Sequence, residues 1–253
     1  MQKITRSLII AGIVATPALV MSAAAKADEA KSPISANVSL VSDYQYRGIS
    51  QTDARPAIQG GFDYAHSSGF YLGTWASSVS WLTDAGSGGN AGNSNSMEWD
   101  FYGGFKGDIA KTGLGYDVGV LHYYYPGSYV PAQTNPDTTE LYVAGSYSFF
   151  TAKYSYSLTN LFGATDSKGS GYLDLAANFD LGQGFGLGAH VGRQTIKNGT
   201  DYTDWKLGVT KDLAGVTLGL AYTDTNISPD FVSVKSGKNL TDGRFILSVS
   251  KSF

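Results

Sequence analysis

The side chains able to do chemistry are present but scattered. The chain has three histidines and no cysteine. His66 stands in a short polar stretch, and His122 and His190 lie in separate segments. No H-E-x-x-H or comparable grouping gathers them around a metal. Serines are frequent, yet none sits in a G-x-S-x-G turn, so no nucleophile elbow is written into the chain. Glu98 and Asp100 share one face of an extended segment, which suits a general acid and base but equally a charged wall. Gly182-Gln183-Gly184-Phe185-Gly186-Leu187-Gly188 imitates a phosphate-binding loop, but no helical pattern follows it. Neither an enzyme nor a cofactor site is expected.

What the charged residues share is parity. Over 97–106, Met97, Trp99, Phe101 and Phe105 alternate with Glu98, Asp100, Tyr102 and Lys106. Successive side chains of a strand point to opposite faces, so all the charge falls on one side. The same holds over 114–125 and 139–149. Arg47, Arg55, Asp63, Glu98, Asp100, Lys106, Asp117, Glu140, Lys153, Asp174, Asp204, Lys206 and Arg244 all take the parity opposite the apolar face. Lys211 and Lys251 break the rule near segment ends, where a lysine stem reaches back to water. Were the apolar face to meet lipid, an Arg or Lys at mid-bilayer would cost ~2–4 kcal/mol. The segregated charges are therefore the expected lining of a polar lumen.

The elements that position them are strands. Alternating segments recur near 37–46, 55–64, 70–81, 97–106, 114–125, 138–148, 152–160, 172–180, 185–194, 203–210, 215–223 and 243–253, which makes twelve. Their connections alternate short and long, the long ones rich in Gly, Asn, Pro, Ser and Asp. Beyond residue 27 no apolar run is long enough for a transmembrane helix. The expected fold is an all-β, antiparallel up-and-down transmembrane barrel with short periplasmic turns and long extracellular loops. Tyr44, Tyr46, Trp81, Trp99, Tyr124, Trp205, Tyr222 and Phe245 are expected in a lipid-facing belt at the loop end. Tyr64, Tyr71, Phe105, Tyr116, Tyr147, Tyr154, Phe179, Phe185 and Phe253 are expected in one at the turn end, while Trp75 fits neither well.

Residues 1–27 read as a secretory signal: Lys3 and Arg6, then an apolar run over 8–20, then Ala25-Lys26-Ala27 before Asp28. Removing Lys3, Arg6 and Lys26 from the 18 basic residues leaves 15 against 21 acidic ones, a net charge of −6. That balance does not suit a nucleic-acid partner. Residues 28–253 would form the barrel. Its last segment ends on Phe253, which resembles the signal read by the outer-membrane assembly machinery, with Lys251 where an aromatic is common.

A resemblance sharpens the reading. Ser42-Asp43-Tyr44-Gln45-Tyr46-Arg47-Gly48-Ile49-Ser50-Gln51, followed by Arg55-Pro56-Ala57 and Ser68-Gly69-Phe70-Tyr71, is similar to the start of the TorF-type porins of proteobacteria. The resemblance implies an outer-membrane barrel and a pore, and carries no catalytic residues. The expected function is passive diffusion of small hydrophilic solutes with a weak cation preference. The expected partners are outer-membrane lipids, periplasmic chaperones and the assembly machinery. Two other classes remain: a structural or adhesive barrel plugged by side chains, and a barrel hydrolase using His122 or His190. Arg47 and Arg55 either form a basic ring at the outer mouth or pair with carboxylates such as Asp43 and Asp63. Mass spectrometry of the membrane-inserted protein is expected to find Asp28 as its first residue; an intact Met1 would sink the cleavage reading.

Overall fold

The computed structural model describes residues 32–84, 90, 92–131 and 133–253, and the expected signal segment 1–27 lies outside them. Twelve strands close on themselves: β1 (Ile34–Val41), β4 (Ala57–Ala65), β5 (Phe70–Ser78), β6 (Met97–Ile109), β7 (Leu114–Tyr124), β8 (Thr138–Tyr147), β9 (Phe150–Ser157), β10 (Gly171–Gly182), β11 (Phe185–Thr195), β12 (Tyr202–Leu213), β13 (Val216–Thr225) and β14 (Arg244–Ser252). Neighbours along the chain pair antiparallel, and β1 closes the ring against β14 on one side and β4 on the other. Two further strands, β2 (Gln45–Tyr46) and β3 (Ile49–Ser50), form a small separate sheet.

Turn chemistry fixes the short connections. Gln183-Gly184 and Ala214-Gly215 have positive φ at both residues. That is the two-residue type I′ geometry, whose twist matches the flanking strands. The turn between β8 and β9 falls at Ser148-Phe149, so β9 begins at Phe150, ahead of the segment expected from 152. The long connections all emerge at the other end of the barrel.

The wall is inverted relative to a water-soluble fold. Phe62, Leu72, Val143 and Leu247 are each more than half exposed on the outside. Glu98, Asp100, Glu140 and Asp204 are buried on the inside. A closed apolar exterior with no free sheet edge is what lipid requires. Lys211 behaves as its position demands: its Nζ turns back to the Gln183 carbonyl at 2.6 Å and lies 4.0 Å from the Phe185 ring centre.

The aromatic belts need correction. Trp99, Tyr124, Trp205 and Phe245 do face outward at the loop end, as do Tyr64, Phe105, Tyr116, Tyr147 and Phe185 at the turn end. Tyr44 and Tyr46 do not. β1 leaves the wall after Val41, once Ser42 N–H has bonded the Leu247 carbonyl, so counting parity through residue 46 fails. Tyr71 points inward, because β5 turns Phe70, Leu72 and Thr74 outward instead. The same parity explains Trp75, whose ring meets Tyr44 edge-on inside the barrel at 5.5 Å. Trp81 lies beyond the end of β5 and packs against Tyr125 and Phe162 in the mouth.

Parity gives a direct test. Val143→Arg on the outer face of β8 is expected to destabilise the protein in lipid vesicles by ~2–4 kcal/mol. Asn178→Arg, on the inner face of β10, is expected to be tolerated. Equal losses in equilibrium urea unfolding would contradict the assignment of faces.

Candidate functional site

The lumen is crossed by the segment that carried the resemblance. Arg47 and Gly48 both have positive φ, 46° and 80°, and Tyr46 pairs with Ile49. This is the same I′ turn as in the wall, here closing the inner β2–β3 hairpin. Glycine is required at the tip for a second reason. A Cβ on Gly48 would stand 2.8 Å from Asp204 Cβ and 3.0 Å from Thr225 Cβ, on β12 and β13. The hairpin therefore reaches from the end of β1 to those strands with no space to spare.

Arg47 clamps it there. Its Nη2 donates to both Glu140 carboxylate oxygens, at 2.9 and 2.8 Å, and its Nη1 donates to Gln194 Oε1 at 2.6 Å. The guanidinium also lies over the Tyr172 ring at 4.2 Å. One side chain thus ties the hairpin to β8, β10 and β11. Burial opposes the charge on Arg47, but the Glu140 carboxylate together with the Tyr46, Tyr123 and Tyr172 hydroxyls outweighs it and raises the pKa above the ordinary guanidinium value. With Nη2 on the carboxylate and Nη1 on the amide, the spread donors of the guanidinium hold two wall residues at once.

Asp43 organises the base of the hairpin. Its carboxylate accepts from Ser50 Oγ at 2.7 Å, Thr52 Oγ1 at 2.8 Å and Gln45 Nε2 at 2.6 Å, and pairs with Arg244 Nη1 at 3.2 Å. Above and beside the hairpin lies an aromatic cluster. Tyr44 and Tyr125 hydroxyls donate to the two oxygens of Glu98, each at 2.7 Å. Tyr46 donates to Tyr123 at 3.1 Å, and Phe162 meets Tyr46, Tyr123 and Tyr125 edge-on.

The sequence-derived lining residues fall into distinct groups. Arg47 belongs to the hairpin, not the wall. Arg55 lies just outside the mouth, its Nη2 3.2 Å from Asp84 and 3.7 Å from Asp53. Arg47 and Arg55 are thus carboxylate-paired, though with partners other than Asp63, and Asp43 goes to Arg244 instead. Around the hairpin stand Glu98, Asp100, Glu140, Asp174 and Arg244. Toward the turn end, Tyr102 donates to Asp63 at 2.6 Å and Tyr71 donates to Asp117 at 2.6 Å, while Tyr71 and Tyr142 hydroxyls also meet. Lys106 and Lys153 lie over the Tyr71 and Tyr142 rings, at 5.1 and 4.2 Å. Lys206 sits opposite His190 across β11 and β12. Phe253 is exposed at the far end, beside Lys251.

His190 is held between Asp174 Oδ1 at 2.9 Å and Asp204 Oδ2 at 2.7 Å, and Tyr172 donates to the same Asp204 at 3.0 Å. Both ring nitrogens are spent on carboxylates, so the ring braces the wall beneath the hairpin tip. His122 bonds Thr139 Oγ1 at 2.9 Å on the outer face. Asp100 differs from all of these: it is fully buried, and neither carboxylate oxygen has a hydrogen-bond partner among the described residues. Asp43 is expected from the sequence only as one candidate partner of Arg47 or Arg55, and Tyr172 and Gln194 are not expected in the site. The signal that finds the hairpin was available: Gln45-Tyr46 and Ile49-Ser50 flank an X-Gly pair, the pattern of a two-residue β-turn.

Removing Arg47 leaves a buried carboxylate without its cation. Arg47→Ala is expected to cost about 3–5 kcal/mol in vesicle-embedded unfolding. The double variant Arg47→Ala with Glu140→Ala is expected to lose less than the sum of the singles; strict additivity would show that the pair is not coupled.

Among solved structures, the KdgM porin is similar at a TM-score of 0.52 and 7% identity, with 87% of this chain and 99% of that one covered. The KdgM porin in complex with disordered oligogalacturonate matches at 0.51 and 7%, over 87% and 98%. The NanC porin matches at 0.51 and 8%, over 86% and 97%. Identities this low establish the shared barrel fold alone. No curated protein matches the sequence. Residues 25–253 match the family described as bacterial protein of unknown function (Gcw_chp), and the chain, barrel and inner hairpin together, belongs to that family.

Proposed function

We propose that the protein is an outer-membrane channel for small hydrophilic solutes, narrowed at its loop end by the inward hairpin. One observation carries the reading: a closed barrel with an apolar exterior encloses a lumen lined by charge. Lipid outside and a polar path inside is the arrangement of a pore. The long-loop end would face the outside of the cell and both chain ends the periplasm. Signal cleavage after Ala27 and recognition of Phe253 during assembly complete this reading, and the Ser42–Gln51 motif supports placing the chain with the TorF-type porins.

The hairpin sets the size limit and the lumen charge sets the preference. Asp43, Asp63, Glu98, Asp100, Asp117, Glu140, Asp174 and Asp204 outnumber Arg47, Lys106, Lys153, Lys206 and Arg244 along the path. Cations are thus favoured over anions. A second reading has its own observation: Tyr44, Tyr46, Leu82, Tyr123 and Tyr125 are packed together as a buried cluster across the loop-end lumen. If that cluster seals the passage, the barrel is structural.

Single-channel recording of the refolded protein in a planar bilayer separates the two. The channel reading expects small, discrete, ohmic steps, with a reversal potential favouring potassium over chloride. Arg47→Ala, which frees the hairpin tip, is expected to raise the conductance. Silence from a folded wild-type protein supports the plugged barrel, and a chloride preference would refute the cation assignment.

A further inference from the structure

The loop-end mouth holds a cavity of about 530 Å³ directly above the hairpin. Its walls come from segments far apart in sequence. Tyr46 rises from the hairpin, Trp81 and Tyr125 from the ends of the wall strands, Phe162 from the β9–β10 connection, Tyr202 from the start of β12, and Phe231 from the β13–β14 connection. The size is that of a small-molecule site.

Its chemistry differs from everything beneath it. The lumen around the hairpin carries Glu98, Asp100, Glu140, Asp174, Asp204 and Arg47, whereas no Asp, Glu, Lys, Arg or His is among the described residues lining the cavity. Aromatic rings and aliphatic side chains such as Ile49, Leu161 and Ile227 share the wall; Ser50 and Gln194 are already held by Asp43 and Arg47, so Gln51 and Thr200 supply the polar groups. A charged ligand entering here would shed water and meet no countercharge. A flat ring with hydroxyl or amide substituents would find aromatic faces and hydrogen-bonding groups together.

The wall is also assembled in advance. Phe162 holds φ 47° and ψ 41°, the left-handed region that a bulky residue avoids. Its ring is fixed there by edge-on contacts with Tyr46, Trp81 and Tyr125. Strain of this kind persists only where the surroundings impose it. Gln194 connects the cavity to the clamp, because its side-chain oxygen already holds Arg47.

We propose that this cavity is a binding site for an uncharged, ring-bearing small molecule, which it takes up at the outer face of the hairpin. Binding there requires only the folded mouth, so it stands or falls separately from conduction.

The test uses a matched pair of probes, 4-nitrophenyl β-glucoside and 4-nitrophenyl β-glucuronide, which differ by one carboxylate. Binding to the full mature chain in lipid nanodiscs, where no detergent competes, is measured by titration calorimetry. The neutral probe is expected to bind saturably, one per chain, and at least about tenfold more tightly than the anionic one. Phe231→Ala, in an exposed loop, is expected to weaken it by about fivefold or more with the circular-dichroism spectrum unchanged. Thr200→Lys, which places a cation at the rim, is expected to reverse part of the preference toward the anionic probe. Equal affinity for both probes, no saturable binding of the glucoside, or an unaltered affinity in a folded Phe231→Ala protein would each overturn the proposal. Glucoside binding by a barrel that passes no current would leave the site standing and remove the channel.

Discussion

A backbone in lipid has no water to bond, and the rest of this structure follows from that constraint. Every strand must find two neighbours, so the sheet closes with β1 between β14 and β4. The outer face must be apolar, so most charges on the strands are sent inward, and exceptions such as Arg193, Lys211 and Lys251 lie near strand ends. The result is a narrow lumen crowded with ionisable groups whose hydration is limited by the wall itself. Such groups are stable only when paired, and the interior is a set of answers to that demand: Arg47 with Glu140, Arg244 with Asp43, and His190 between Asp174 and Asp204.

The hairpin turns this electrostatic need into architecture. Glu140 and Gln194 on the wall offer acceptors in the upper lumen, and Arg47 on a two-residue turn delivers the matching donors across the opening. Gly48 makes the close approach possible, and Asp43 holds the hairpin's base. Tyrosines serve the same end by another route. Their hydroxyls satisfy Glu98, Asp63 and Asp117 while their rings fill space. Gly192, where a Cβ would collide with the Tyr172 ring, shows how the wall makes room for them. Asp100 stands outside the scheme as a buried carboxylate with no such partner.

Filling and pairing leave the loop end of the lumen occupied by the hairpin and the tyrosines packed against it. The outermost layer is different again. Between Phe162 and Phe231 the cavity above the hairpin has an uncharged lining, while charges such as Arg55 and Asp84 lie beside it. The uncharged cavity and the charged layer around Arg47 thus lie one above the other at the loop end.

The sequence by itself determined the barrel, because period-two alternation, turn residues and alternating connection lengths are local and repeat at every strand. It also determined the inward face of most charged strand residues, since a wrong parity would place a charge in lipid. Within the wall its error is Tyr71, expected outside and found on the inner face of β5, and its other errors lie where the chain leaves the wall. Tyr44 and Tyr46 continue the alternation of β1 in sequence but not in space; the X-Gly pair at 47–48 marks a turn but does not mark Val41 as the last residue in the wall. Only the tertiary structure decided that the segment folds inward, because the acceptors that hold Arg47 lie on β8 and β11, far along the chain. Which charges pair, and where an uncharged cavity remains among them, depends on contacts across the lumen. A strand's own pattern records the face of each side chain but not its partner on the opposite wall.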